Sequence, residues 1–338
     1  MTSDRTILKI RRKGINIGIE PPLIAAPMAG AIDHPYRTIL HEYGCPMSFT
    51  EMISSRGLYE ESSRTRELVG SVQPSGYTGA QIFGSDPEYL GPGSMKLEEM
   101  GFHLIDLNSG CPKRKVMSQG SGGALLKDAD KLLRCLTSLI DSVSVPVGIK
   151  MRSAYRNFDE PGFRKMLLDI EGSGASYVTI HPRTVVQGFS GSADRNVIPI
   201  ASDALSIPVI ASGDVRDTGD VSDYLNRGAS GVMIGRALLG DPTWFMRNGF
   251  QMESTAVGNG DPRIRENIRI AGEHLHLIIR HYGEERGVVK FRSHLGWYLK
   301  GFAGKREFRD RIYKINSKGD AAGLLEEISS ILDRRSTL

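Results

Sequence analysis

Cys111 is the residue of this 338-residue chain whose type and surroundings are best suited to chemistry. It lies in the segment Gly110-Cys111-Pro112, three residues after Asn108. A thiol exposed on such a loop can act as a nucleophile or as an acid that donates a proton. Because no paired base or oxyanion arrangement is evident in the sequence, the acid role is at least as well supported as the nucleophilic one.

Other polar residues and glycines stand where short apolar runs end. They are Pro27-Met28-Ala29, Glu51, Gln81, Asn108, Lys150, His181, Ser212-Gly213-Asp214 and Gly235-Arg236. Gly213 and Gly235 would let backbone N–H groups approach an anion closely, and Arg236 would add a bidentate contact. This combination predicts a ligand that carries phosphate, for which flavin mononucleotide (FMN) is one candidate.

Lys150, His181 and Gln81 have the chemistry that a flavin ring requires. Reduction leaves negative charge near N1 and O2 of the ring, and a fixed ammonium such as Lys150 stabilises that charge. His181 would share this task, and the amide of Gln81 would form a hydrogen bond to the ring. The alternative for Lys150 is a structural ion pair with Glu51 or Asp106.

An α/β fold is predicted by the pattern of residues 1–247, in which apolar runs alternate with amphipathic stretches. In Asp128–Val143, leucines recur at helical spacing behind a capping aspartate. Eight such strand–helix units predict a (β/α)8 TIM barrel. Ile15, Ile17 and Ile19 alternate in a predicted hairpin at the bottom of the barrel. The predicted strands are Leu23–Pro27, Met47–Glu51, Thr78–Gln81, Leu104–Asn108, Val145–Lys150, Tyr177–His181, Pro208–Ser212 and Gly231–Gly235.

The predicted barrel assigns each of the three cysteines to a catalytic or a structural position. Active sites of this fold lie at the carboxyl ends of the strands, and phosphate usually binds after strands seven and eight. Cys111 follows the fourth strand and is therefore placed at the active-site face. Cys45 precedes the second strand and Cys135 lies on the apolar side of a helix, so both are interpreted as structural.

A second, all-helical domain is predicted over residues 262–338, after a linker over residues 248–261. Its expected helices are Ile264–His281, Arg286–Lys300 and Ala321–Asp333. Residues 262–318 contain 14 basic and 6 acidic residues, whereas the whole chain has a net charge of only +4. This local excess indicates a polyanionic partner, and the alternative is a solvated helical face.

Composition excludes several classes of protein. With 40% hydrophobic and 24% charged residues, the chain can bury a large core. Three cysteines cannot all pair and lack metal-type spacing, so neither a disulfide framework nor a zinc site is expected. No apolar run approaches the ~18 residues of a membrane span, and no secretory signal is evident. A cytoplasmic protein with free thiols is expected.

Together, these motifs resemble those of the tRNA-dihydrouridine synthases, flavoenzymes that reduce the 5,6 double bond of uridine in RNA, with the bacterial B subgroup most similar. The resemblance covers nearly the whole chain in the same order. It is carried by Ala26-Pro-Met-Ala-Gly30 with Asp33, Gln81-Ile-Phe-Gly84, Asp106-Leu-Asn-Ser-Gly-Cys-Pro112 with Lys115-Val116, Lys150-Met-Arg152, Ile180-His-Pro-Arg-Thr184, Ile207-Pro-Val-Ile-Ala211 with Gly213-Asp214, Gly235-Arg236 and Phe291-Arg-Ser-His-Leu-Gly-Trp-Tyr-Leu-Lys300.

The resemblance implies a mechanism and a set of site residues. NADPH would reduce bound FMN, flavin N5 would transfer hydride to C6 of uracil, and Cys111 would protonate C5 from the other face. Asn108 would orient the uracil, and Arg152 and Arg183 would lie near it or its phosphates. The helical domain would bind tRNA, with the target base flipped into the barrel. No metal, membrane or obligate protein partner is expected. FMN would be held by Pro27, Met28, Ala29, Gln81, Lys150, His181, Ser212, Gly213, Asp214, Gly235 and Arg236.

Two departures from the family pattern and two rival functions remain. Ser212 stands where the family usually has asparagine, and Pro182 where it often has glycine, which removes a backbone donor. One rival is an FMN barrel acting on a small molecule, like dihydroorotate dehydrogenase or an ene-reductase, which would not need the basic domain. The other is an RNA-binding protein on a retired barrel, although Cys111 and Lys150 are both present.

Overall fold

A computed structural model describes residues 7–73, 75–248, 261–302 and 305–336. The chain divides into two compact units. The first contains Met1–Ala29 and Pro46–Gly235, and the second contains Gly30–Cys45 and Arg236–Leu338. Among the described residues, no helix is both long and apolar enough to cross a membrane.

All strands of the described residues belong to the first unit. They are β1 (Leu8–Arg12), β2 (Ile15–Ile19), β3 (Leu23–Ala25), β4 (Met47–Phe49), β5 (Ile53–Ser54), β6 (Tyr77–Phe83), β7 (Leu104–Ser109), β8 (Val147–Arg152), β9 (Tyr177–His181), β10 (Val209–Ser212) and β11 (Gly231–Ile234). The helices are α1 (His34–Glu42), α2 (Ser55–Tyr59), α3 (Ser63–Val69), α4 (Pro87–Glu99), α5 (Arg114–Met117), α6 (Ala129–Ser142), α7 (Glu160–Gly172), α8 (Val197–Ala204), α9 (Thr218–Asn226), α10 (Trp244–Asn248), α11 (Asp261–Tyr282), α12 (Glu284–Tyr298), α13 (Lys305–Tyr313) and α14 (Lys318–Ser336), with 3₁₀ turns at Gly122–Lys127 and Arg236–Leu238.

Eight parallel strands of the described residues close into a barrel, which confirms the predicted fold. Strands β6 to β11 pair in sequence order, β11 pairs with β3, and β3 and β6 both pair with β4. Their side chains are buried almost throughout, as expected for strands covered on both faces. Every predicted strand run coincides with one of these strands, with boundaries shifted by at most two residues.

The predicted hairpin is also confirmed. Strands β1 and β2 are antiparallel, with Ile10 opposite Ile17, and the turn between them contains Lys13 and Gly14 at positive φ. Leu8, Ile10, Ile17 and Ile19 join one buried cluster with residues that begin the barrel strands, such as Met47, Leu104 and Tyr177. The hairpin therefore fills the bottom of the barrel with apolar side chains.

Aspartates begin several of the barrel helices. The Asp128 carboxylate accepts a hydrogen bond of 2.9 Å from the backbone N–H of Lys131, so α6 begins where its sequence predicts. Asp86, Asp159 and Asp217 cap α4, α7 and α9 in the same way. Cys135 of α6 is fully buried, and burial raises the pKa of its thiol to about 11, which agrees with a structural role.

The second unit is helical, and it contains all three helices predicted for the end of the chain. Helix α13 was not predicted, because its sequence is mostly charged and only Phe308 and Ile312 reach the level of burial typical of a core. Cys45 is buried, with 3% of its surface exposed, as expected for a structural thiol.

The division into units differs from the predicted boundary at residue 247 in two segments, 30–45 and 236–247. Tyr36 of α1 is fully buried, and its ring packs 5.2 Å from that of His274 of α11. Its hydroxyl donates a hydrogen bond to the carbonyl of Leu238. A Cβ at Gly240 would lie 2.1 Å from the carbonyl oxygen of Trp297. These packing contacts attach both segments to the helical unit. Residues 249–260 of the predicted linker lie outside the described residues.

Candidate active site

A chain of hydrogen bonds across β6 and β7 leads to Cys111. The register places Gln81 beside Asp106. The Gln81 amide donates to the Asp106 carboxyl at 2.7 Å, and the Asn108 amide donates to the Gln81 oxygen at 2.7 Å. The Asn108 oxygen accepts the backbone N–H groups of Gly110 (3.3 Å) and Cys111 (3.0 Å). Both ends of the Asn108 amide are thus engaged, which fixes the loop that carries the thiol.

Two glycines that the sequence analysis did not assign to the site support the same loop. The N–H of Gly123 donates to the Cys111 carbonyl at 3.0 Å. A Cβ at Gly122 would lie 3.2 Å from the Cβ of Cys111, and Gly122 has a φ of +60°. Only glycine satisfies both conditions without strain. The sequence does contain a glycine cluster here, Gly120-Ser121-Gly122-Gly123. Because its spacing is not that of a dinucleotide-binding motif, no function was assigned to it.

Lys150 and Asp106 form the charged part of the site. Lys150 of β8 is in register with Asn108 of β7. Burial lowers the pKa of Lys150, and the nearby Asp106 charge opposes that shift. Burial likewise raises the pKa of Asp106, opposed by its hydrogen bond from Gln81 and by the Lys150 charge. The charges of Lys150 and Asp106 therefore act on each other, and an ion pair between the two side chains stays a prediction.

His181 is a largely buried imidazole beside Arg183. The backbone N–H of Arg183 donates to the His181 carbonyl at 2.8 Å and lies 3.3 Å from His181 Nδ1. Burial, followed by the charges of Lys150 and Arg152, lowers the pKa of His181 to about 2. A Cβ at Gly213 would lie 3.1 Å from His181 Nε2, and Gly213 has a φ of +109°. Glycine is thus required there by both its conformation and its closeness to the imidazole.

Arg183 and Asp214 are paired with each other. The guanidinium of Arg183, only 2% exposed, donates to both carboxylate oxygens of Asp214 at 3.0 and 2.6 Å. It also donates to the carbonyls of Ser190 (3.2 Å) and Gly191 (2.6 Å). Asp214 further accepts the N–H of Ala193 at 3.0 Å. These contacts fix the loop after β9. Contacts of Arg183 with substrate and of Asp214 with a cofactor stay predictions.

Arg152 connects the loops after β7 and β9. Its Nε donates to the carbonyl of Gly110 at 2.8 Å, next to Cys111. A terminal nitrogen donates to the carbonyls of Thr184 (2.9 Å) and Gly188 (2.7 Å). Burial, with the nearby Arg183 charge, lowers the pKa of Arg152 to about 10, so the side chain stays cationic at neutral pH. Arg152 therefore ties the thiol loop to its neighbour.

The remaining predicted cofactor residues follow the first and last strands of the barrel. Pro27, Met28 and Ala29 follow β3, and Ser212 ends β10 with 5% exposure. A Cβ at Gly235 would lie 3.2 Å from the sulfur of Met28. Arg236 begins the 3₁₀ turn Arg236–Leu238.

Comparison with known proteins identifies the family. Residues 23–334 match the family model described as dihydrouridine synthase. The chain belongs to the dihydrouridine synthase family. It is 34% identical over 318 residues to tRNA-dihydrouridine synthase B of Escherichia coli, covering 92% of this chain and 96% of that protein. It is also 32% identical over 305 residues to a probable tRNA-dihydrouridine synthase of Rickettsia conorii, covering 89% and 91% of the two chains.

Membership of the dihydrouridine synthase family confirms the resemblance inferred from the motifs, and this family is generally flavin-dependent.

A further site residue that the sequence analysis missed is Thr50, whose hydroxyl accepts the backbone N–H of Gln81 at 3.0 Å. A lone threonine after a strand carries no signal, because only the pairing of β4 with β6 brings it to Gln81.

Proposed function

We propose that this chain reduces uridine in tRNA to 5,6-dihydrouridine, with FMN as its flavin and NADPH as the reductant. The observation that carries the proposal is the Asp106–Gln81–Asn108 hydrogen-bond chain. It holds the backbone of Cys111, whose thiol is partly exposed, at the carboxyl end of a barrel in a dihydrouridine synthase. A fixed thiol at that rim is suited to deliver a proton to a base inserted from outside.

The residues of the barrel rim fit an FMN. Gly213 and Gly235 would allow the close backbone approach that a flavin phosphate requires, and Arg236 would add a bidentate contact. Lys150, which is half-buried, supplies the cation that a reduced ring favours, and His181 would share this task. Pro27, Met28, Ala29, Gln81, Ser212, Asp214, Gly235 and Arg236 complete the proposed set. When bound, the flavin would take hydride from NADPH and supply it to C6 of uracil.

The protein side chains would then orient the base and move one proton. Asn108 is fixed by three hydrogen bonds and keeps one amide N–H for the uracil. Cys111 would transfer its thiol proton to C5 and regain one from solvent. Arg152 and Arg183 hold the flanking loops in place, and any contact of theirs with RNA phosphates would be additional.

The second unit is proposed to bind the tRNA. Part of its basic excess is paired internally, as in the ion pair of Arg311 with Glu327 and that of Arg269 with Glu273. Other basic side chains face solvent, among them Lys300, Arg306, Arg309 and Lys314. Their contacts with phosphates would make binding salt-dependent. The cytoplasmic location stays a prediction from the sequence.

An anaerobic titration tests this function. The flavin of the purified protein is reduced, unmodified tRNA is added, and the return of the oxidised flavin band is followed. We expect reoxidation by tRNA and not by free uridine. Reoxidation by a small enone or dihydropyrimidine precursor, with none by tRNA, would support the small-molecule rival instead. Absence of a flavin band even after addition of FMN would contradict the proposed cofactor site.

A further inference from the structure

Three metal-ligating side chains meet inside the helical unit. Asp33 precedes α1, His274 lies in α11 and His294 in α12. One ligand atom of each lies within 4.8 Å of the other two. The three residues are 1%, 0% and 2% exposed. Asp33 and His294 both belong to segments that the sequence analysis singled out for their family resemblance without assigning them a role.

The buried imidazole of His274 lacks a partner on one side. Its Nδ1 lies 3.2 Å from the hydroxyl of Tyr298, whereas its Nε2 has no hydrogen-bond partner among the described residues. Leaving a buried polar atom unpaired costs about 1–3 kcal/mol. The rings of His274 and His294 are 4.4 Å apart and nearly perpendicular. An unpaired buried nitrogen on a residue of this cluster indicates that something is bound there.

We infer that Asp33, His274 and His294 bind a divalent transition-metal ion, for which Zn²⁺ is the best match. Two imidazoles and one carboxylate form a frequent protein ligand set for zinc, and a water molecule would complete the tetrahedron. Zinc bonds to nitrogen and oxygen are about 2.0–2.2 Å long. The side chains must therefore approach each other by roughly an ångström when the ion binds.

Outer hydrogen bonds support the assignment. Ligating histidines usually bond through their second nitrogen, and ligating carboxylates are usually hydrogen-bonded as well. Tyr298 is at the second nitrogen of His274, and Asp33 accepts the N–H of Tyr36 at 3.1 Å. A bound ion would join α1 to α11 and α12 and so stabilise the helical unit. The expectation of no metal rested on cysteine spacing, which does not bear on this cluster.

Metal content of the full-length protein tests the inference. The protein is produced in medium supplemented with Zn²⁺ and purified without immobilised-metal affinity chromatography. It is then dialysed and analysed by inductively coupled plasma mass spectrometry. We expect about one zinc per chain for the native protein. The control His276→Ala removes an exposed histidine of the same helix and should retain the metal. Asp33→Asn and His294→Gln should each lower it to about a tenth or less.

Asn can replace Asp33 as the helix cap, so Asp33→Asn is expected to fold. Thermal unfolding with and without EDTA provides a second readout that needs no variant. EDTA should lower the midpoint of the native protein and of His276→Ala by about 5 °C or more. Native protein with no more zinc than Asp33→Asn, or with a midpoint insensitive to EDTA, would overturn the inference. Neither readout depends on dihydrouridine synthesis, so the proposed function is tested separately.

Discussion

The thiol of Cys111 is held by the backbone around it. Its N–H is fixed by Asn108, its carbonyl by Gly123, and the preceding carbonyl of Gly110 by Arg152. These contacts fix the backbone from which the Cys111 side chain projects at the barrel rim. A group positioned in this way suits proton transfer, which requires hydrogen-bond reach to the accepting atom.

Cys111→Ala is expected to keep its flavin and its fold while losing most tRNA reduction. A positioned general acid contributes about 10²–10⁴-fold to a rate, so a loss of at least 100-fold is expected. Single-turnover reoxidation of the reduced flavin by tRNA measures this rate. Cys45→Ala is the matched control, because Cys45 is buried in the helical unit and should be dispensable for turnover. Equal turnover of Cys111→Ala and the native protein would remove Cys111 from the acid role.

Gly213→Ala is expected to weaken flavin retention. The added methyl group would lie 3.1 Å from His181 Nε2, in a conformation that side chains rarely adopt. The imidazole must then move, which displaces a side chain proposed to contact the flavin ring. The ratio of flavin to protein after gel filtration measures the effect. Gly272→Ala, where a Cβ meets nothing within 4 Å, should leave that ratio unchanged. If both variants keep their full complement of flavin, Gly213 does not contribute to the cofactor site.

Among the elements, barrel helices are connected to later strands through glutamates near their ends. Glu98 of α4 accepts the N–H groups of Ser144 (2.8 Å) and Val145 (3.0 Å) before β8. Glu171 of α7 accepts the N–H and hydroxyl of Ser206, at 2.8 and 2.7 Å, before β10. In both places a single carboxylate satisfies backbone donors of a tight αβ connection, which otherwise would depend on water.

Glu171 is expected to make stability depend on pH. The Ser206 hydroxyl, helped by backbone N–H groups, lowers the pKa of Glu171 in the folded state. Its stabilisation is therefore complete above the unfolded pKa of about 4.3 and is lost as the pH falls through the folded value. Glu171→Gln should cost about 1 kcal/mol at pH 7 and less at pH 3. Urea unfolding at both pH values measures this difference.

Glu99→Gln is the control for this experiment, since Glu99 is an exposed glutamate at the end of α4. Its unfolding free energy should match that of the native protein at pH 7. A cost of Glu171→Gln that is the same at pH 3 as at pH 7 would show that the carboxylate charge is not what stabilises this connection.

For the whole molecule, charge is distributed unevenly between the two units. The local excess of 14 basic over 6 acidic residues falls in residues 262–318, within the helical unit. The solvent-facing lysines and arginines of this stretch can contact the phosphates of a nucleic acid. An enzyme that acts on a small neutral molecule would have no use for such a basic surface. The distribution therefore favours the polynucleotide substrate over the small-molecule rival.

Arg306→Gln combined with Arg309→Gln is expected to weaken tRNA binding and to reduce its salt dependence. Two lost phosphate contacts should lower the slope of log K against log salt by about 1.5–2. Filter binding at several salt concentrations measures the slope. Arg134→Gln combined with Arg164→Gln removes the same charge from helices α6 and α7 of the first unit and should change the slope little. Equal effects of the two double variants would indicate non-specific attraction by net charge.

Local sequence patterns predict most of the secondary structure of the first unit. Runs of apolar residues, their spacing and the capping aspartate of α6 predict the barrel strands, the hairpin and the helix start. These signals lie within a few residues, where backbone geometry alone sets the periodicity. The assignment of Cys111 to the active-site face and of Cys45 and Cys135 to structural positions followed from strand order. The weakly apolar α13 escaped prediction because such a helix owes its stability to packing.

Contacts between distant segments were decided only by the tertiary structure. Arg183 and Asp214 are both motif residues, but nothing local indicates that they pair with each other. Helix α1 interrupts the barrel sequence and yet packs in the helical unit, which brings Asp33 to His274 and His294. Such pairings depend on how complete surfaces fit together, and the partners lie 31 residues apart in the first case and more than 200 in the second. The periodicity of a sequence predicts towards which side of its own helix or strand a side chain points. It does not predict which distant residue that side chain will contact.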